Sequence, residues 1–319
     1  MAREILEDSL NNPTQRVLVT GATGFLGRHL CVSLKKLGFV VLATARKRDL
    51  ELVHVDEWVE CDLLEPVALE QFLSSKPIAY CFHLAALSDG QDVANRASSI
   101  LRQNTLATLN LLSILEAQTS KPSVLLLSSA LAESGCPKKL KADRRKSSWY
   151  AYSKRVSELV FAAYNNNASL SSVAVRVPNV YGPGDQSTSR IIPSLFRSLL
   201  EQSRFNLRSS SDTQIELVYV GDVVAGLCKI QREHAAIAGH YGAMARIYGR
   251  QGLSLEQIVR KAQSLFHSDS NDAQLAGNVS LDKRSSEGEL YALHGSTPLD
   301  EGFRATLNWY RNQKDSLAQ

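Results

Sequence analysis

The sequence predicts an α/β fold: a doubly wound, mostly parallel sheet with a smaller C-terminal α/β lobe. Three observations predict it. Short apolar runs alternate with longer stretches of helical periodicity between Arg16 and Val177. A glycine-punctuated turn joins the first apolar run to the first helical stretch. Beyond about Pro178 the alternation weakens, and Gly, Pro, Ser and Asp become common. Strands buried on both faces by helices need no polar side, so they read as unbroken apolar runs.

In chain order, Arg16–Thr20 is the first strand and Phe25–Leu37 the first helix. Val40–Thr44 is a strand, Glu65–Ser74 a short helix and Ala79–Leu84 a buried strand. Asp92–Gln118 holds helical periodicity with few breakers. Ser123–Ser128 is an apolar strand, Trp149–Asn165 a helix and Ser172–Val177 a strand. In the C-terminal part, Ile191–Glu201 and Leu255–Phe266 read as helices. Val218–Val220 and a helix from Asp222 return to the main domain. The expected division is a main domain over residues 14–178, joined by 218–235, and a lobe made mostly of 179–319.

Composition narrows the class. The chain has 319 residues, 44% hydrophobic and 21% charged, enough to bury a large core without metals or disulfides. Its net charge of +4 balances 36 basic against 32 acidic residues, which makes no case for nucleic acid or a membrane surface. Cys31, Cys61, Cys81, Cys136 and Cys228 are odd in number and scattered, against a disulfide framework or a zinc site. Met1–Pro13 is polar, and no apolar run reaches ~18 residues, so a cytoplasmic enzyme is expected.

The strongest local signal is Val17–Gly27, a strand followed by Gly21-Ala22-Thr23-Gly24-Phe25-Leu26-Gly27 and a helix. Gly21 allows a tight turn, Gly24 a close backbone approach to a pyrophosphate, and Gly27 close helix–strand packing. The helix N-terminus offers N–H groups and a positive dipole end to phosphates. This motif predicts a dinucleotide cofactor. Where an acidic residue would bind the ribose of NAD, the second strand ends in Ala45 and Arg46, followed by Lys47 and Arg48. A guanidinium suits a 2′-phosphate, which favours NADP(H), with NAD(H) the alternative.

Trp149–Lys154 carries Tyr150 and Lys154 at helical i, i+4 spacing, facing one pocket. A free phenol titrates near ~10, and a neighbouring ammonium and nicotinamide cation favour its phenolate. Tyr152 lies on another face.

With its Thr-Gly opening and Gly-x-x-Gly-x-x-Gly spacing, the chain resembles the extended short-chain dehydrogenase/reductase superfamily, a Rossmann-type group of NAD(P)-dependent epimerases and dehydratases. Members whose second strand ends Ala-Thr-x-Arg usually take NADP. The resemblance implies hydride chemistry with Tyr150 as acid–base and Lys154 holding the nicotinamide ribose. It places Asp62 and Leu63 at the adenine, and Leu84, Ala85 and Ala86 along the cofactor. Asn104 supports the site, and His83 reads as a core histidine. A Ser or Thr after the fourth apolar run completes the triad. Anchored on Ser128-Ser129-Ala130 it is Ser129; anchored on Gly135 the count lands on Ala130, and Ser129 is the choice. Arg176–Gly184 resembles the family's Arg-x-x-Asn-x-Tyr-Gly-Pro segment, with Pro178 beside the nicotinamide and Asn179 at the substrate. Ser88, Arg190 and Arg208 are further substrate positions.

The C-terminal half resembles CDP-glucose 4,6-dehydratases most, through Ser189–Pro193, Arg208-Ser209 and Val218–Asp222. The final stretch Leu299–Tyr310 matches the family's last helix. The departures matter. The dehydratase acid–base pair falls on Leu131 and Ala132, with Glu133 one step further. A diphosphate-binding Arg falls on Ile215. The basic run Lys138–Lys146 reads as a solvated loop. The leading expectation is an enzyme acting on a nucleotide-linked sugar by redox, epimerisation or dehydration. The alternatives are a reductase of a non-sugar carbonyl and a cofactor-binding sensor. By analogy, Asp92–Gln118 and Trp149–Asn165 form a homodimer interface.

Overall fold

The computed structural model describes residues 15–49, 54–87, 97–133, 148–167, 169–207, 209–240, 243–267, 279–282 and 290–317. Ser88, Arg208, Cys136, Met1–Pro13 and the basic run Lys138–Lys146 lie outside the described residues.

The chain opens with β1 (Arg16–Thr20), α1 (Phe25–Lys36), β2 (Val40–Ala45), β3 (Glu57–Glu60), α2 (Val67–Leu73) and β4 (Tyr80–His83). Helix α3 (Ala97–Leu101) runs through a π-helical turn (Arg102–Leu106) into α4 (Ala107–Ala117). Then come β5 (Ser123–Ser129), a 3₁₀ turn (Ala130–Glu133), α5 (Trp149–Asn166), β6 (Ser172–Val177) and β7 (Asn179–Tyr181). Next are α6 (Ile191–Leu200), β8 (Gln214–Tyr219), α7 (Val220–Arg232), α8 (His234–His240), β9 (Met244–Tyr248) and β10 (Arg250–Ser254). The chain closes with α9 (Leu255–Phe266), β11 (Val279–Asp282), β12 (Tyr291–Gly295) and α10 (Leu299–Leu317).

Among the described residues the larger sheet runs β11-β12-β9-β6-β5-β4-β1-β2-β3. Strand β1 pairs in parallel with both β2 and β4, β2 with β3, β4 with β5, and β6 with β9. The 3-2-1-4-5-6 run is the doubly wound order, and it reverses between β1 and β4. Ligands of such sheets bind beyond the carboxyl ends of the strands at that reversal. The apolar runs behave as expected: Val17, Leu18, Val19, Leu42, Phe82, Val124 and Leu125 are fully buried. Against Leu18, Leu42 and Val124 pack Leu111, Leu115 and Phe161 from the helices.

The described residues fall into two compact units. One draws on Met1–Arg176, Leu227–Arg246 and Lys283–Ala292, the other on Val177–Gly226, Ile247–Asp282 and Leu293–Gln319. The return segment expected at 218–235 therefore divides at Gly226 and Leu227. The second unit carries a small sheet in the order β10-β8-β7, with β7 parallel and β10 antiparallel to β8. Strand β8 is longer than the Val218–Val220 expected, and α7 starts at Val220 rather than Asp222. The long helix of Asp92–Gln118 is described from Ala97 and is interrupted by the π turn.

Candidate active site

The first element of the site is the turn after β1. Gly21 has φ +69°, where only glycine is unstrained, and its N–H donates to the Thr44 carbonyl at 3.0 Å. A Cβ on Gly21 would come within 2.8 Å of the Ala85 nitrogen. A Cβ on Gly27 would lie 2.2 Å from the Gly21 carbonyl oxygen, so any side chain there would push α1 off the turn. Gly24 caps α1, whose first turn carries no acidic residue to compete with a bound anion.

This turn opens into a cleft of about 230 Å³. Gly21, Thr23, Gly24, Arg46, Asp62, Leu63, Leu84, Ala85 and Ala86, all positions the sequence assigns to the cofactor, line it. Asp62 is oriented by the Leu64 N–H, which donates to its Oδ1 at 3.0 Å. Of the other cofactor positions, Phe25 and Leu26 form the first turn of α1 outside the lining. Gly27 serves the turn, and Pro178 belongs to the second unit. The cleft also uses residues the reading missed: Thr20, Thr44, Ala45, Cys61, Leu87, Gln103 and Ala107. Thr20, Ala45, Cys61, Leu87 and Gln103 adjoin residues it named. Gln103 and Ala107 reach the cleft from the π turn and α4, which no local motif announces.

The cleft fits a dinucleotide on an observation of its own. The Thr44 hydroxyl is buried in its wall and has no hydrogen-bond partner among the described residues. A buried orphan hydroxyl is costly unless a ligand group completes it.

The second element is the grip of α5 on the end of β5. Ser148 caps α5, its hydroxyl accepting from the Ala151 N–H at 3.1 Å. Tyr150 follows in the first turn. Lys154, one turn on, is 4% exposed and donates from Nζ to the Leu127 carbonyl at 2.8 Å. Its Nζ lies 5.9 Å from the Tyr150 ring centre. Burial, opposed in part by Glu158, lowers the Lys154 ammonium to about 8. Ser128, next along β5, donates to Glu158 Oε1 at 2.7 Å. Ser129 ends the strand, and its hydroxyl oxygen accepts only a 3.2 Å bond from the Leu131 N–H among those resolved. Of the two neighbouring serines, Ser128 is committed to Glu158 and Ser129 keeps a proton to donate.

Asn104 joins the two elements. In the π turn, its side chain accepts from the Leu87 N–H at 2.7 Å and donates to the Leu87 carbonyl at 3.1 Å. It also donates to the Ser153 hydroxyl at 2.9 Å, and Ser153 donates to the Tyr150 carbonyl at 2.8 Å. The Asn104 carbonyl accepts from the hydroxyls of Thr108 and Ser157, at 2.6 and 2.9 Å. His83 sits behind the cleft between the Thr20 and Thr108 hydroxyls, at 2.8 and 2.9 Å. Burial first, and Lys154 second, push it down to about 3, so it is a neutral core histidine.

Glu133, near the dehydratase acid–base positions, is held by two arginines. Arg176 and Arg246 are direct neighbours across β6 and β9, and each bonds Glu133 Oε1, at 3.2 and 2.6 Å. Leu131 is exposed and apolar, and Ala132 is fully buried. In the second unit, Arg190 pairs with the buried Asp185 at 3.0 Å, and Asn179 donates to the Glu216 carbonyl at 3.2 Å. Ile215 lies on β8 opposite Leu253. Among the described residues no helix is long and apolar enough to cross a membrane, and no cluster of His, Cys, Asp and Glu could hold a metal.

Doubly wound sheet, glycine turn and a Tyr/Lys helix with its lysine buried together define a dinucleotide-binding α/β protein of the extended short-chain class. The chain belongs to the NAD dependent epimerase/dehydratase family, whose model matches residues 17–242. It is 24% identical over 332 residues to UDP-glucuronic acid decarboxylase 1 of Xenopus tropicalis, covering 95% of this chain and 74% of that protein. It spans about half the length, 50% and 53%, of the next two curated relatives. An epimerase of Methanothermobacter thermautotrophicus shares the fold with a TM-score of 0.74 at 19% identity, covering 98% of this chain and 97% of that one. MoeE5, solved with UDP-glucose and NAD, gives 0.71 at 24% identity, covering 94% and 99%. The likeness to CDP-glucose 4,6-dehydratases rests on the sequence segments alone.

Proposed function

We propose that this chain is an NAD(P)-dependent enzyme that exchanges hydride at a carbon of a nucleotide-linked sugar, as an epimerase or a reductase. One observation carries the reading: Lys154 is buried against the β5 carboxyl end, 5.9 Å from the Tyr150 ring centre, on the strand end where Ser129 accepts one N–H bond and keeps its own proton to donate. When bound, the nicotinamide supplies the hydride acceptor and donor. Gly21, Thr23 and Gly24 would hold its pyrophosphate, Asp62 and Leu63 its adenine, and Lys154 its ribose.

The protein's part is proton traffic and positioning. Ser129 donates to the substrate oxygen and fixes it beside Tyr150. Tyr150 takes the hydroxyl proton on oxidation and returns it on reduction. The Lys154 ammonium stabilises the phenolate left behind. Relatives named for UDP-sugars and the UDP-glucose seen with MoeE5 support the nucleotide sugar. Arg46 supports NADP(H) over NAD(H), since a guanidinium at the end of β2 suits a 2′-phosphate. Dehydration has little support, because Glu133 is engaged by Arg176 and Arg246 and its neighbours are apolar. Ile215, in place of a diphosphate arginine, favours the second reading, a reductase of a non-sugar carbonyl.

We also propose a homodimer. Leu106 and Leu109, with Val156 and Leu159 on α5, leave apolar side chains 37–56% exposed on two adjacent helices.

The test incubates the protein with UDP-glucose or UDP-glucuronate and NADP(H) or NAD(H), following products by chromatography and reduced cofactor by absorbance. Tyr150→Phe is expected to lose at least ~100-fold in turnover while still binding cofactor. Full activity in that variant, or no thermal stabilisation by any dinucleotide, defeats the proposal.

A further inference from the structure

Arg28 follows Gly27 in α1, and its guanidinium bridges the glycine turn and the segment after β2 at the edge of the cleft. Its Nε donates to the Thr23 carbonyl at 3.1 Å, and its Nη2 bonds the Asp49 carboxylate. Thr23 belongs to the glycine turn and Asp49 to the segment after β2, three residues past Arg46. Thr23 and Arg46 both line the cleft, so Arg28 is bracketed by its mouth. Its side chain is 39% exposed and that of Asp49 20%, so an entering anion can reach the pair.

We propose that Arg28 and Asp49 set the preference between phosphorylated and unphosphorylated dinucleotide. Arg28 is a second ligand for the adenosine 2′-phosphate, and Asp49 is the internal anion that competes for it. The inference rests on the reading that the cleft takes a dinucleotide with Arg46 at the 2′ position. A phosphate monoester and a carboxylate offer a guanidinium similar pairs of oxygens. The Thr23 carbonyl anchors Arg28 whichever anion it holds. Asp49 opposes the phosphorylated cofactor twice: it neutralises Arg28, and its charge repels a dianion drawn to the same place. Neither effect touches a cofactor that carries a bare 2′-hydroxyl.

Calorimetric titration of NADP⁺ and NAD⁺ into wild type, Arg28→Met, Arg28→Lys, Asp49→Asn and Arg46→Met tests this. Arg28→Met is expected to weaken NADP⁺ binding by about tenfold. Arg28→Lys keeps charge without the fork and falls between. Asp49→Asn is expected to strengthen NADP⁺ binding by roughly threefold to fivefold. NAD⁺ stays within about twofold in each variant. An Arg28→Met protein with the wild-type NADP⁺/NAD⁺ ratio overturns the inference, as does weaker NADP⁺ binding in Asp49→Asn. A shifted ratio in Arg46→Met with none in Arg28→Met sinks this inference alone. An unchanged ratio in all of them, or a wild type that binds neither cofactor, sinks the underlying reading with it.

Discussion

Glu158→Gln breaks the ionic clasp beneath the Tyr150 helix. The Glu158 side chain is 2% exposed and that of Arg176 13%, so water screens the pair little. Arg176 forks onto it, Nε to Oε1 and Nη2 to Oε2, both at 2.9 Å, and Ser128 adds a bond at 2.7 Å. Arg155 adds another at 3.0 Å but is 35% exposed and contributes little. Neutralising one partner of a buried pair costs about 3–5 kcal/mol. Gln keeps the shape and one acceptor, which puts the expected loss near ~3 kcal/mol. At ~2–4 °C per kcal/mol for a large domain, Tm falls by roughly 6–12 °C. The pH dependence has a definite sign. Burial raises the Glu158 carboxyl, and bonds from Arg176, Ser128 and Arg155 more than offset it, so it titrates below its ordinary value. The stabilisation is then complete above the unfolded value, about 4.3, and is lost as pH falls through the lower folded one. Thermal unfolding followed by circular dichroism, stepped from neutral to acid pH, reads both effects. The gap between wild type and variant should hold to about pH 4.3 and close below it. A drop under ~2 °C at neutral pH, or a gap unchanged at the acid end, refutes the clasp.

Lys154→Met removes an ammonium that burial lowers to about 8, against an ordinary 10.5. Wild-type stability therefore rises as pH climbs between those values; denaturant curves for the variant should lack that rise, while turnover falls at least ~100-fold. Asn104→Ala strands the Leu87 N–H and carbonyl and removes the bond that the Ser153 hydroxyl accepts. It should cost ~2 kcal/mol and weaken cofactor binding, measured by chemical unfolding and calorimetry; unchanged affinity would show that the Leu87 segment needs no such tie. Leu159→Asp places a charge on the most exposed apolar side chain of the proposed interface and should yield monomers in sedimentation velocity. A persisting dimer would place the contact elsewhere.

Much of the first unit was legible because its signals are local. The Gly21–Gly27 turn declares its own geometry, since the close contacts at Gly21 and Gly27 follow from chain bending within a few residues. The i, i+4 spacing of Tyr150 and Lys154 does the same for the helix. Strand β3, Glu57-Trp58-Val59-Glu60, was read only from its end, as a short strand closing at Cys61-Asp62-Leu63, because two apolar residues between carboxylates carry no period of their own. Its pairing with β2 is set by the sheet, not by its own side chains. The π turn was illegible because one additional residue leaves the amphipathic pattern around it nearly unchanged. Contacts between distant residues were invisible too: Glu133 meets Arg246 across 113 positions, and Arg28 meets Asp49 across 21. The small sheet of the second unit was missed because β7 has only three residues and β8 begins with polar ones.

The interruption at Arg102–Leu106 has a consequence for how this protein can change over time. The widened turn absorbs one residue of surplus that, in an unbroken α-helix of ~3.6 residues per turn, would rotate whatever follows by about 100°. The stretch that presents Gln103 to the cleft and the stretch that presents Leu106 and Leu109 outward are thus phased separately. Excising Thr105 would close the widened turn into plain α-helix and leave the outward leucines facing as they do, without altering the chemistry of any other side chain. Ligand-facing and outward-facing positions can therefore drift under different selective pressures along a single continuous helix, with Asn104 as the pivot both must preserve.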